Sequence, residues 1–417
     1  MILMPTTSTS NVWTIVEPAA RPEPPQWMSF STLLEIESCP SLWSLRSAHY
    51  PNIWNGRGYP RPLDLASIEG KIVHSAIERA AKELVKGGCT STSETNAIAI
   101  LKQLGGFSAL VKDCTAKLLQ RHNDNPRAQA ALENIRRKLD GRIPELRSRV
   151  QRQLSRVRLD GRQPMQTAPR MERQHDQRFP LGSGSHPEVE LRSSEMGWHG
   201  FVDLLTLSDL ECEIRDFKTG AVKQQHELQL RLYALLWARD RELNPAGRLA
   251  NRLVLSYDDR EVQVTAPTAE SLKILEAEIM VRTRSARGHV LSPKPEARPS
   301  AENCAHCLVR QLCGDYWNWL ETHRSETGVD VAQFADLEIE IRRRRGPTSW
   351  DGIALRGPFS TSGRSVVLRS ASLSLDIKPG DRVRAQNVSL IESGDSENEV
   401  GPLVATAGVY SEVFFAQ

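Results

Sequence analysis

The sequence predicts an α/β chain in which a mixed sheet flanked by helices is followed by a small β-barrel domain. Helical periodicity governs residues 69–86 and 95–158, and alternation takes over between Val189 and Phe217. Beyond about Val331, short alternating runs are separated by turn residues such as Lys378-Pro379-Gly380-Asp381. The chain's 417 residues suffice for two or three domains. With 39% hydrophobic and 25% charged residues it is neither disordered nor fibrous in composition. A net charge of +3 identifies no partner by itself, because phosphate backbones are met by patches rather than averages.

In chain order, residues 1–28 are rich in Pro, Ser and Thr without a period and read as a flexible tail. Ser31 is a candidate cap for a short helix through Leu33, Leu34 and Ile36 toward Cys39-Pro40. A Pro/Gly-rich loop, Pro51 to Pro62, leads to a helix over Glu69 to Lys86, with Ile72, Val73, Ala76, Ile77 and Ala80 at helical spacing. Residues 95–160 read as a helical insertion whose second half is basic: Arg136, Arg137, Lys138, Arg142, Arg147, Arg149, Arg152, Arg156 and Arg158. A solvated face and a phosphate-contacting arm fit that run equally well. Strands at Val189–Leu191, Gly200–Leu207 and Glu213–Phe217 are followed by a helix from His226 to Arg239. A strand pair, Leu253–Tyr257 and Glu261–Thr265, and a helix, Ala269–Arg287, complete a first domain spanning 29–325.

A second domain, 331–417, has strand runs at Leu337–Arg342, Ser365–Arg369, Asp381–Ile391 and Leu403–Val409, which suit a small, OB-like barrel. Arg342 to Arg345 give it a basic edge, and Trp350, Tyr410, Phe414 and Phe415 are its exposed-looking aromatics. Holding single strands and docking or stabilising a protein are equally compatible roles.

No apolar run is long enough to span a bilayer, so no membrane association is expected. Met1-Ile2-Leu3-Met4-Pro5 is too short for a signal sequence. Seven cysteines, an odd number, fit a reducing cytoplasm in which spaced cysteines hold metal more often than they form disulfides.

The sharpest motif is Asp216-Phe217-Lys218. On a strand, Asp216 and Lys218 project to one face and Phe217 to the other, into the core. A carboxylate that holds a divalent cation, beside an ammonium that orients water, suits phosphodiester hydrolysis. Alone, such a pair is common on surface strands. Gly200-Phe201-Val202-Asp203 lies on the preceding strand, within about 5 Å of it, close enough for two carboxylates to share one cation. Oxygen ligands with room for water favour Mg²⁺ or Mn²⁺. Gln229 and Tyr233, four apart on the next helix, face back toward the pair. In Gly70-Lys71-Ile72-Val73-His74 the histidine sits on a mostly apolar face with Glu78 a turn later; a satisfied core histidine is the commoner outcome there. Glu190 is a further candidate for the site.

Cys304-x2-Cys307-x5-Cys313 lies late in the first domain and Cys39 early in it. These residues suit one metal centre, and zinc bound by three cysteines and His306 fits the spacing too. Cys89, Cys114 and Cys212 fall outside the pattern.

In this order, the G-x-x-x-H helix, G-x-x-D strand, D-x-K strand and Q-x-x-x-Y helix resemble the PD-(D/E)XK nucleases of the RecB type, over roughly Ser29 to Trp317. The resemblance implies a restriction-endonuclease-like core. It implies that His74, Asp203, Asp216 and the Phe217 carbonyl bind Mg²⁺ or Mn²⁺, that Lys218 positions the attacking water, and that Gln229 and Tyr233 support the site and contact DNA. One cysteine before the histidine helix and three after the core are similar to the iron–sulfur staple of the Cas4, AddB and Dna2 families. That similarity implies a structural [4Fe–4S] cluster on Cys39, Cys304, Cys307 and Cys313.

Cas4-type chains usually lack the helical insertion and the β-rich module, and no P-loop is present to supply a motor. The expected function is a metal-dependent deoxyribonuclease, exonucleolytic or directed at single strands and duplex ends, in repair, recombination or defence against foreign DNA. It would work beside a helicase or another subunit. The alternative is an inactive DNA-binding or scaffold subunit of a helicase–nuclease complex.

Overall fold

A computed structural model describes residues 12–160, 178–322, 333–358, 361–370, 375–392, 401–408 and 410–416. The N-terminal segment is no free tail over its described part. Strand β1 (Val12–Thr14) pairs in parallel with Val413–Phe415, Ala20 bridges His49, and Met28 is buried beside Trp198. Three residues are too few to display a period, and the strand exists because its partner supplies the hydrogen bonds. Residues 1–11 of the expected tail lie outside the described residues.

Helix α1 (Phe30–Ser38) begins at Ser29 rather than Ser31, because the Ser29 hydroxyl accepts from the Thr32 N–H and frees Phe30, Leu33 and Ile36 to be buried. Pro40 starts α2 (Pro40–Ser47) at once. Helix α3 (Leu65–Lys86) starts at Leu65 rather than Glu69, since the Asp64 carboxylate caps it at Ser67. Helices α4 (Thr95–Gln103), α5 (Gly106–Gln120) and α6 (Gln129–Ser155) form the insertion and share one apolar core with α3.

The first sheet contains β2 (Gly184–Ser193), β3 (Trp198–Leu207), β4 (Cys212–Phe217), β5 (Arg252–Ser256) and β6 (Glu261–Val264), in that spatial order. Only β4 and β5 run parallel, and α7 (Gln224–Arg239) makes the crossover between them that parallel pairing demands. Helices α1, α7 and α8 (Ala269–Leu291) pack with one apolar core of the sheet. Leu204 and Phe217 join the other core, with α3 to α6. Short helices α9 (Ala301–Ala305) and α10 (Gly314–Thr322) lead to the second sheet.

That sheet comprises β7 (Gln333–Gly346), β8 (Ser349–Arg356), β9 (Ser365–Ser370), β10 (Arg382–Glu392), β11 (Leu403–Ala407) and β12 (Glu412–Ala416), together with β1. β7, β8, β9, β11 and β10 follow one another and β10 pairs back with β7, closing a five-stranded barrel. β9 and β11 are parallel. Alternation in the sequence marks neither β8 nor β12. Trp350 and Phe414 do not face solvent: both are fully buried, and the Trp350 indole donates to the Ile377 carbonyl at 3.1 Å. Tyr410 remains exposed. Arg342, Arg343 and Arg345 of the basic edge form ion pairs with Glu340 and Asp351.

Buried ion pairs join barrel to core. Arg127 donates to both oxygens of Glu412 at 2.6 and 2.7 Å and to the Leu308 carbonyl at 2.5 Å. Arg310 donates to Asp336 at 2.6 Å. Among the described residues no helix is long and apolar enough to cross a membrane.

Candidate active site

β3 and β4 are registered with Leu204 opposite Arg215, which sets Asp203 opposite Asp216. Asp203 Oδ2 accepts the Phe217 N–H at 2.5 Å, and its Oδ1 lies 3.6 Å from Nδ1 of His74 on α3. Asp216 is buried, with Oδ2 2.6 Å from Lys218 Nζ and otherwise lacking a hydrogen-bond partner. Lys218 Nζ donates to Gln229 Oε1 at 2.7 Å, and Gln229 Nε2 donates to the Tyr233 hydroxyl at 2.7 Å. The Q-x-x-x-Y pair on α7 is thus a two-step relay that fixes the lysine head. The Lys218 N–H reaches the Ser256 carbonyl at 2.8 Å, extending the β4–β5 ladder by one residue.

Both motif glycines follow from close packing. A Cβ on Gly200 would meet the Tyr233 ring at 2.8 Å, and one on Gly70 would meet Thr219 Oγ1 at 2.9 Å. Gly200 lets the Tyr233 ring come close to β3; Gly70 lets α3 approach the loop after Lys218.

Burial and the neighbouring Asp203 raise the Asp216 carboxyl pKa, against the pull of Lys218. Burial presses His74 toward neutrality, but Asp203 and Asp216 outweigh it and hold its pKa above the usual value. Burial keeps Tyr233 a phenol, reinforced by Asp216 and Asp203. Carboxylates crowded in this way call for cationic charge, and carboxylate oxygens are the donors a hard divalent cation takes. Among the described residues, no group of three or more His, Cys, Asp or Glu is gathered tightly enough to hold a metal.

Glu190 turns away to Arg192 at 2.7 Å and His199 at 3.5 Å. Glu188, which the sequence pattern missed, takes the position beside the site. The β2–β3 ladder pairs Pro187 with Leu204 and Val189 with Val202, leaving Glu188 opposite Asp203 with a left-handed φ of 54°. Burial, Asp203 and Glu78 push its carboxyl up to about 7. The strand begins at Gly184, ahead of the Val189 at which alternation becomes visible, so Glu188 fell outside the recognised run.

The four patterned cysteines line a single cavity of about 20 Å³ with Leu42, Leu45 and Tyr316. Backbone N–H groups of Arg298 and Tyr316 donate to Cys39 and Cys313 sulfur at 3.5 and 3.4 Å. Burial, then the neighbouring thiols, push Cys307 up to about 12; burial pushes Cys313 up to about 11. Two of the four sulfurs thus accept main-chain N–H groups. His306 lines an adjoining cleft, beside Gln386 and Tyr410, that Cys307 lines as well. Cys89, Cys114 and Cys212 are buried elsewhere.

The family model described as the PD-(D/E)XK nuclease superfamily matches residues 27–314. The chain belongs to this superfamily, whose members are generally metal-dependent nucleases. No curated protein matches it. Among solved structures it is similar to that titled SSO0001, at 15% identity over 61% of this chain and 87% of that one, with a TM-score of 0.21. It is also similar to a murine DNA-binding protein bound to double-stranded DNA, at 8% identity over 58% and 93%, TM-score 0.18. A third is the p204 HINb domain, at 10% identity over 58% and 100%, TM-score 0.16.

Proposed function

We propose that the chain is a Mg²⁺- or Mn²⁺-dependent deoxyribonuclease of the RecB/Cas4-like type, acting on single strands or duplex ends. The observation that carries this reading is the Lys218 ammonium held 2.6 Å from Asp216 and 2.7 Å from Gln229, with Asp203 opposite and His74 beside it. His74, Asp203, Asp216 and the Phe217 carbonyl would hold the cation, with Glu188 adjoining them. The cation supplies charge stabilisation and acidifies water. Lys218 orients the attacking water and offsets charge developing on the phosphoryl oxygens. Gln229 and Tyr233 keep its head in place.

Cys39, Cys304, Cys307 and Cys313 would hold a [4Fe–4S] cluster that ties the two ends of the core together. The barrel's strand succession, with its third and fifth strands parallel, is that of an OB fold, a scaffold suited to single strands. A cytoplasmic role in repair, recombination or foreign-DNA defence beside a helicase fits a nuclease without a P-loop of its own.

Cleavage of labelled single-stranded DNA by purified protein with Mn²⁺ tests the reading. Asp216→Asn and Lys218→Ala should each lose at least about a hundred-fold in rate while still binding the oligonucleotide. Parental rates in either variant would sink the assignment. Anaerobically purified protein should be brown and contain iron; zinc in its place would refute the cluster.

A further inference from the structure

We infer that the helical insertion serves as a clamp on the catalytic strand, with Arg149 and Gln153 as positioning residues for Lys218. The inference rests on the catalytic reading of Lys218 and assigns a task to the part of the core domain that the family resemblance leaves unexplained. Arg149 and Gln153 on α6 and Arg156 at its C-terminal cap stand at helical spacing and so share one stripe. Both Arg149 and Gln153 are buried. Arg149 Nη2 donates to the Thr219 carbonyl at 2.7 Å, and Gln153 Nε2 lies 3.3 Å from the Lys218 carbonyl. These two carbonyls come directly after β4 ends at Phe217.

Asp258, in the loop after the neighbouring parallel strand β5, locks the two donors. Its carboxylate accepts from Arg149 Nε at 2.7 Å and from Gln153 Nε2 at 2.5 Å. One turn on, Arg156 donates to the Tyr257 and Asp258 carbonyls at 2.7 and 3.0 Å. At the other end of the stripe, Arg142 lies 2.6 Å from Glu69, next to the Gly70 against which Thr219 packs. One face of α6 therefore grips the loops beyond β4 and β5 together with the helix that carries His74. The main-chain position of Lys218 decides whether its ammonium reaches Asp216 and Gln229 together, and a displacement of about 1 Å at a reacting centre can cost about a hundred-fold in rate.

A phosphate-contacting arm would use the same arginine differently, so three measurements separate the roles. First, Arg149→Ala and the shape-preserving Asp258→Asn should lower kcat on single-stranded DNA by about ten- to a hundred-fold with KM and metal-free DNA affinity unchanged. Second, Arg149→Lys should recover part of the loss. Third, Arg149→Ala placed in the Lys218→Ala background should cost nothing further, because both act through one group. Weakened DNA binding with a shallower salt dependence would make Arg149 a phosphate contact and overturn the proposal. An Arg149→Ala loss of equal size with or without Lys218 would reduce the clamp to plain stabilisation and overturn it too. If Lys218→Ala is inactive while Arg149→Ala and Asp258→Asn keep the parental kcat, the clamp fails alone. If Lys218→Ala is fully active, the catalytic reading fails and the clamp with it.

Discussion

At the scale of single residues, the site is held by contacts that leave little slack. Gly200 is the clearest case: the Tyr233 ring lies 2.8 Å from where its Cβ would be. Gly200→Ala should therefore destabilise the fold by about 1–3 kcal/mol and lower kcat by pushing the Tyr233–Gln229–Lys218 relay out of line. A melting curve read beside a rate assay checks both effects. His226 supplies a pH signature. Burial, Lys218 and Lys223 lower its pKa to about 4, against 6.5 for the free side chain. The unfolded chain takes up that proton first as pH falls. The stabilising contribution is thus complete above about 6.5 and is lost progressively toward pH 4. Melting temperatures of the parent and His226→Gln should draw together as pH drops through that window, and parallel curves would contradict the assignment. Glu188 shows where the sequence was illegible at this scale. Its place beside Asp203 depends on a left-handed backbone turn within β2, and such a turn leaves no periodic mark.

At the scale of elements, the basic run along α6 and just past its end is divided between two tasks. Arg149 and Arg156 are bound to main-chain oxygens, whereas Arg136, Arg137, Lys138, Arg147, Arg152 and Arg158 remain exposed. Periodicity alone ranked all of these cations together. Charge reversal at Arg147 and Arg152 should weaken metal-free DNA binding in a salt-dependent way if the exposed face meets phosphate, and binding titrations at two salt concentrations decide it. Around the cysteines, Arg298 reaches the Glu37 carbonyl at 2.6 Å and the Ser41 N–H reaches the Glu296 carbonyl at 3.0 Å, so hydrogen bonds of the protein itself also join the two ends of the core. Cys313→Ser should consequently give a colourless, less stable protein whose sheet still forms. Visible absorption and circular dichroism report the two outcomes separately.

At the scale of the whole molecule, the barrel is joined to the core through buried charge. Arg127 reaches Glu412 from the turn between α5 and α6 while its guanidinium lies over the Tyr59 and Phe414 rings. Removing one partner leaves the other charge uncompensated, a cost of roughly 3–5 kcal/mol. Arg127→Ala should therefore expose the barrel to limited proteolysis while the core remains resistant; an unchanged digestion pattern would show that the joint lies elsewhere. What the sequence determined by itself were the features written in local spacing: the helix and strand succession of the core, and the D-x-K and Q-x-x-x-Y pairs. The presence of a β-rich end was legible in the same way, as were the four cysteines that share a cavity. Tertiary structure alone decided which carboxylate stands opposite Asp203, which arginines of α6 turn inward, and that Trp350 is core. It also decided that residues 12–14 complete the far sheet. These features depend on strand register and on contacts between residues distant in the chain, whereas periodicity reports only how each element meets water.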